Sequence, residues 1–237
     1  MALPVVKQPT YFTHIHSLNK EIPYRPYNVG EEKILMMVSE SDDPKFVAEN
    51  MKKVIQACVM DPDVDVGKLA SYDVELLLIK IRAKSSGEII SIKYTDPDTD
   101  KKYEVDVNIE DISISFDDEH VYDITVGDNL HIELSDLTFD KMLAYQSNSS
   151  TTQDATIKAE MTYDIIIDCV KKIYDENEVW VVGEDITKAE TTEFINNLTG
   201  VSKYFHKFIS TMPAVIYELK LEDGKTVKIQ DIKSFLA

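Results

Sequence analysis

Glycine is scarce in this chain. Seven glycines in 237 residues leave few places where a backbone can approach a phosphate, and neither a Gly-rich phosphate loop nor a dinucleotide fingerprint is present. GxSxG, the nucleophile elbow, is missing too. Cysteine is scarcer still. With only Cys58 and Cys169, no cysteine-rich zinc site can form within one chain. Both lie in apolar helical patterns, which predicts two buried thiols in a reducing compartment rather than a disulfide. Basic residues are in deficit. There are 25 Lys and Arg against 43 Asp and Glu, a net charge of −18. Residues 96–140 hold fifteen acids against Lys101 and Lys102, so that surface cannot neutralise phosphates, and nucleic acid is excluded as a partner there. A protein with a basic face fits it, as does plain solvation by like charge. No apolar run is long enough to span a bilayer, and "MALPVVKQPTYF" carries no signal-peptide pattern. The expectation is no membrane anchor.

What remains are residues that resemble sites only in part. Asp96, Asp98 and Asp100 have the spacing of the first ligands of a calcium hand, but Lys101 and Val107 stand where Gly and Glu are needed. Asp61, Asp63 and Asp65 fail the same test at Val66 and Tyr72. His14 and His16 share a face of a predicted strand without a third ligand, and HExxH is absent. "KIRAKSSGE" places Lys80, Arg82 and Lys84 before Ser85-Ser86-Gly87. A phosphate cradle wants its loop before a helix, where free N–H groups point at the anion. Here the loop follows one, so the cations complement the carbonyl end of the helix. We therefore expect no catalytic, cofactor or metal residues.

Periodicity predicts an α+β protein of helices, short antiparallel strands and hairpins. A hairpin opens the chain over "TYFTHIHSL" and "EIPYRPY", with Pro23 and Pro26 at a sheet edge. A helix follows Asn28 or Gly30, and a second follows a cap at Asp42 or Asp43 with Pro44 first. Ser71 is read as the cap of a third, which Gly87 ends. Residues 88–95 and 102–109 read as a hairpin, followed by strands at 112–116, 121–126 and 130–134. "QSNSSTTQ" at 146–153 is polar and aperiodic, the expected linker between domains 1–145 and 154–237. Beyond it, "ATIKAEMTYDIIIDCVKKIYD" is read as one helix, "NEVWVV" as a strand, two more helices follow, and a hairpin with an Asp223-Gly224 turn closes the fold. The halves echo each other. "IQACV" and "IIDCV" each end a helix, and each is followed by an acidic break, a helix, a hairpin and an Ile-containing acidic end. Two related helix–hairpin units would explain this.

In order and spacing, "YRPYNVGEEKILMMVSES", "VIQACV", "YDVELLLIKIRAKSSGE", "DCVKKIYDENEVW", "TEFINNL", "KFISTMP" and "IKSFLA" resemble the baseplate hub subunit and hub-assembly family of T-even-type contractile-tail bacteriophages. The similarity runs from about Tyr24 to the C-terminus and is weakest over 110–155. Some members carry cysteine pairs near hairpin tips. This chain has none there, so a metal-clipped hairpin is not implied. The resemblance implies a non-enzymatic structural or assembly protein, made in the host cytoplasm and working through protein–protein contacts. It would either stay in the virion baseplate or act on the tape-measure protein as an assembly chaperone and leave. Its partners would be other hub or tail proteins. The expected contact residues are Tyr24, Arg25 and Tyr27 at the proline-bearing edge, Arg82 and Lys84 at the helix end, and Tyr204 and Phe208 in the C-terminal half. Core packing is the ordinary fate of each aromatic. A phage hydrolase and an acidic DNA mimic are the rival classes.

Overall fold

A computed structural model describes residues 7–96, 100–149, 155–221 and 224–230, without the side chains of 147–149 and 155–158. The fold is α+β, with seven α-helices and antiparallel sheets of short strands among the described residues. By contacts the chain divides into two compact units. One is Met1–Ser115 with Ala214–Ala237, the other Phe116–Pro213. The polar stretch 146–153 therefore falls inside the second unit. Its first residues continue a helix through Ser149, and 150–154 lie outside the described residues.

In the first unit, β1 (Tyr11–Ile15) and β2 (Lys20–Tyr24) pair antiparallel around a 3-10 turn, His16–Leu18. Helix α1 (Val29–Ser39) starts at Asn28, whose side chain accepts from the Glu31 N–H while Glu31 accepts from the Asn28 N–H. This reciprocal cap satisfies two otherwise orphaned donors. Helix α2 (Pro44–Cys58) is capped by Asp43, with Pro44 in its first turn. Helix α3 (Ser71–Ser86) has apolar residues on every side, and nine of its sixteen residues are buried. A helix apolar all round belongs at the centre of a core. Its N-cap is Ala70, with no capping side chain. The expected Ser71 cap is one residue off, and Ser71 is the first helical residue. Gly87 ends α3 at φ 118°, a region L side chains avoid.

The hairpin of β3 (Ile89–Thr95) and β4 (Lys102–Asn108) has full seven-residue register. The described part of its tip closes with the Asp96 N–H donating to the Lys101 carbonyl. Residues 97–99 of the rejected calcium loop lie outside the described residues. Strand β5 (Ser113–Ser115) pairs with β10 (Ala214–Lys220), and β10 with β11 (Thr226–Ile229). Leu76, Ile79 and Ala83 of α3 join Ile90, Ile92, Val107, Val215 and Leu219 in one core. Gly224 sits at φ 86° in the closing turn, whose expected partner Asp223 is outside the described residues.

The second unit carries a sheet ordered β6 (Asp123–Val126), β7 (Leu130–Leu134), β8 (Val170–Tyr174), β9 (Val179–Val181). Helices α4 (Phe139–Ser149), α5 (Ala155–Cys169), α6 (Lys188–Asn196) and α7 (Ser202–Ser210) complete it. Thr187 and Glu190 form the capping box of α6. Phe205 and Phe208 of α7 are fully buried among Ile132, Leu134, Cys169 and Ile173. One expectation is corrected here. The helix through "ATIKAEMTYDIIIDCVKKIYD" stops at Cys169, and "VKKIY" is strand β8. Val170 and Ile173 are β-branched and buried, and pair with Leu134 and Ile132 of β7. A preformed strand edge decided a segment that local propensity left open.

A repeated arrangement lies ahead of the two cysteines, not after them, and the closing hairpin β10–β11, read from sequence as the end of the second copy, belongs to the first unit. Strand β7 follows β2 by 110 positions with five residues in each, and the start of α4 follows the start of α1 by 110. Helices α2 and α5 end at cysteines 111 positions apart. The backbone joins match as well. The Cys58 carbonyl accepts from the Arg25 N–H at 2.9 Å, and the Cys169 carbonyl from the Ser135 N–H at 2.7 Å. Val59 forms an antiparallel bridge to Tyr24, and Val170 pairs with Leu134. Each unit thus contains the same β-β-α-α-Cys arrangement.

Candidate functional site

The chemistry each expected residue can offer depends on its neighbours. Tyr24 is 2% exposed and Phe208 is fully buried, so both are core residues and neither faces a partner. Burial pushes the Tyr24 hydroxyl up to about 12. Arg25 is turned inward. Its guanidinium grips both Glu31 carboxylate oxygens at 2.8 and 2.7 Å and donates to the Ala57 carbonyl at 2.7 Å. That fork satisfies a carbonyl at the end of α2 and holds the Glu31 carboxyl below the usual carboxylate range. In the second unit Lys141, at the position matching Glu31, donates to the Asp168 carbonyl. One cation per unit therefore sits on the carbonyl before the buried cysteine. Both thiols are pushed up to about 12, chiefly by burial, so neither is a ready nucleophile.

Around Tyr27 the structure gathers several expected residues. The Tyr27 N–H donates to Ser85 Oγ at 3.0 Å, and its hydroxyl bonds Ser86 Oγ. The 25–28 connection is thus seated on the C-terminal end of α3. Lys84 bonds Glu88, lies 3.7 Å from Glu110 and sits 5.3 Å over the Tyr11 ring. Its charge is answered within the unit. Arg82 is half-buried on the same helix. Tyr27, Arg25, Asn28, Val29, Glu32 and Ser85 border an open polar groove of about 710 Å³ together with Gln8. In the second unit Tyr204 is 36% exposed beneath the Lys203 ammonium, 4.7 Å from the ring centre. Tyr27 and Lys84 both lie at the C-terminal end of α3, and Arg82, two residues before Lys84, points to another side of that helix. Tyr204 stands apart on α7.

The imidazoles also differ from expectation. His14 is in β1, but His16 opens the 3-10 turn, so the two do not share a strand face. His16 packs edge-on against His14, and its Nδ1 lies 3.2 Å from Asp73. Buried Asp73 also accepts the His16 and Ser17 N–H groups at 2.9 and 2.8 Å, pinning the first hairpin to α3. Among the described residues no cluster of three His, Cys, Asp or Glu could hold a metal ion, and no helix is long and apolar enough to cross a membrane.

The residue-by-residue expectations missed the outer face of α1. "KILMMV" is visible in the sequence as an apolar run, yet α1 buries none of its residues. Val29, Met36 and Met37 are 80%, 65% and 52% exposed. Two half-buried acid–base groups were missed as well. Glu75 on α3 is raised to about 7 by burial. His120 stacks on Phe208, donates to or accepts from Thr211 at 2.7 Å through Nδ1, and leaves Nε2 buried without a partner.

The assemblage is polar joints, internal ion pairs and exposed apolar side chains, with no convergent reactive constellation among the described residues. No curated protein and no solved structure matches the chain. A family described as T4 bacteriophage base plate protein matches residues 8–237, nearly the whole length. The chain therefore belongs to the T4 bacteriophage base plate protein family.

Proposed function

We propose that this protein is a non-catalytic subunit of the baseplate hub, built into the tail beneath the tube in the host cytoplasm and acting by protein–protein contact. The family match across residues 8–237 carries the reading, because a structural base plate family points to a non-enzymatic component of the tail. The exposed apolar residues of α1 and the acidic 96–140 stretch support contacts driven by apolar burial and charge complementarity. Peptide mapping of purified virions against infected lysates tests it. A hub subunit gives its peptides in particles, at a fixed ratio to other base plate proteins. A chain abundant in lysates and missing from particles would replace this reading with that of an assembly chaperone acting on the tape-measure protein.

A further inference from the structure

Helix α1 contains five consecutive apolar residues, Ile34 to Val38, and none of its residues is buried. The matching helix of the second unit behaves differently. In α4, Phe139 is 3% exposed, and Met142 and Tyr145 pack on the core. Phe139 matches Val29, which is 80% exposed, and Met36 matches Gln146, so where α4 shows solvent a polar side chain α1 shows an apolar one. On α1, Met36 and Met37 join Phe46 of α2 to line an open groove of about 680 Å³. Methionine is unbranched and polarizable, and suits a surface that must mould itself to another. A helix of eleven residues is about 16 Å long, room for roughly three turns of a second helix laid against it.

The charge around the groove selects the occupant. Glu40 and Asp43 border it, with Asp42 next to Asp43 in the chain. Lys33 and Lys45 leave this rim net negative. A second copy would bring two acidic rims together on chains that each carry −18, and like charges across an interface are costly. A partner helix with an apolar stripe and flanking Lys or Arg meets both requirements. We propose that the α1 face, with Met36, Met37 and Phe46 at its centre, docks a basic-flanked amphipathic helix of another protein. This deepens the assembly reading by stating the partner's chemistry, and rests on it only in taking the partner to be a protein.

The test uses the full chain and a fluorescein-labelled eighteen-residue Leu/Lys amphipathic peptide, with a Leu/Glu twin, followed by fluorescence anisotropy. The cationic peptide binds, more weakly as salt rises, and the acidic twin does not. Met36→Ser/Met37→Ser weakens binding at least tenfold and Glu40→Gln severalfold. Val179→Ser, in the other unit, leaves binding unchanged. All four sites are exposed, and circular dichroism checks that each variant is folded. Equal binding by wild type and the double Met variant, or no binding of the cationic peptide, overturns the proposal. So does a dimer in sedimentation velocity that the double Met variant dissolves. None of these readouts depends on whether the chain is found in virions.

Discussion

Two half-buried acid–base groups make opposite demands on pH. Glu75 sits in the apolar surroundings of α3, and desolvation alone raises it from 4.5 to about 7. A folded-state pKa above the unfolded one contributes stability at low pH that is lost as pH rises from 4.5 through about 7. Glu75→Gln should therefore raise the melting temperature at pH 8, by about 1–3 kcal/mol of stability, and change little at pH 4. Calorimetry at the two pH values checks this. An equal effect at both would show that Glu75 does not titrate in the fold. His120 runs the other way. Burial lowers it from 6.5, against the opposing pull of Asp136 and Asp117. Its contribution is present above 6.5 and lost as pH falls below it. Trp180 is the single tryptophan and packs on the second unit's core, so its fluorescence reports that unit. Melting followed this way should fall between pH 7.5 and 5.5, and His120→Gln should flatten the slope.

Among the elements, α1 and α3 contrast most. Helix α3 is held by burial along its whole length and needs no capping side chain. Helix α1 has eleven residues and none buried, and isolated helices of that length are marginal in water. It depends on its capping box and its packing on α2. Asn28→Ala removes the side-chain acceptor of that box, at a cost of about 1 kcal/mol. Hydrogen exchange should then quicken several-fold in the α1 amides, while α3 amides and the global melting temperature barely move. A uniform rise in exchange along the first unit would show that α1 is not a separately opening element. The same elements show what was legible beforehand. Asn28, Asp43, Pro44 and Gly87 announce helix ends because capping is local chemistry. Strand β8 was hidden because its state depends on β7, thirty-six residues earlier in the register Leu134↔Val170.

At the scale of the whole chain, the second unit enters and leaves through neighbours. Ser115 of β5 and Ala214 of β10 are register partners in one antiparallel pair. An insertion between adjacent strands can carry its own core without stretching the host, and the second unit's core is drawn from residues 124–212. Residues 116–213 expressed alone should therefore unfold cooperatively, followed by Trp180 fluorescence. Residues 154–237, the domain that the polar stretch marks out, lack β7 and should not. If 154–237 folds and 116–213 does not, the linker reading is the correct division. The repeated β-β-α-α-Cys arrangement belongs to this scale too, with one copy in each unit.

By itself the sequence determined the α+β class, most helix ends and hairpins and the burial of both cysteines, since periodicity, caps and turn residues act over a few positions. It also carried the resemblance to the phage base plate family, and showed the failure of each metal, phosphate and nucleophile pattern. Only the tertiary structure decided which groups are exposed. It buried Tyr24 and Phe208, turned Arg25 onto Glu31 and the end of α2, and left Met36 and Met37 in solvent. It also ended α5 at Cys169. The physical reason is common to all of these. Burial and strand pairing depend on what distant segments bring to a residue, and an apolar side chain reads the same in sequence whether its own chain covers it or leaves it for another.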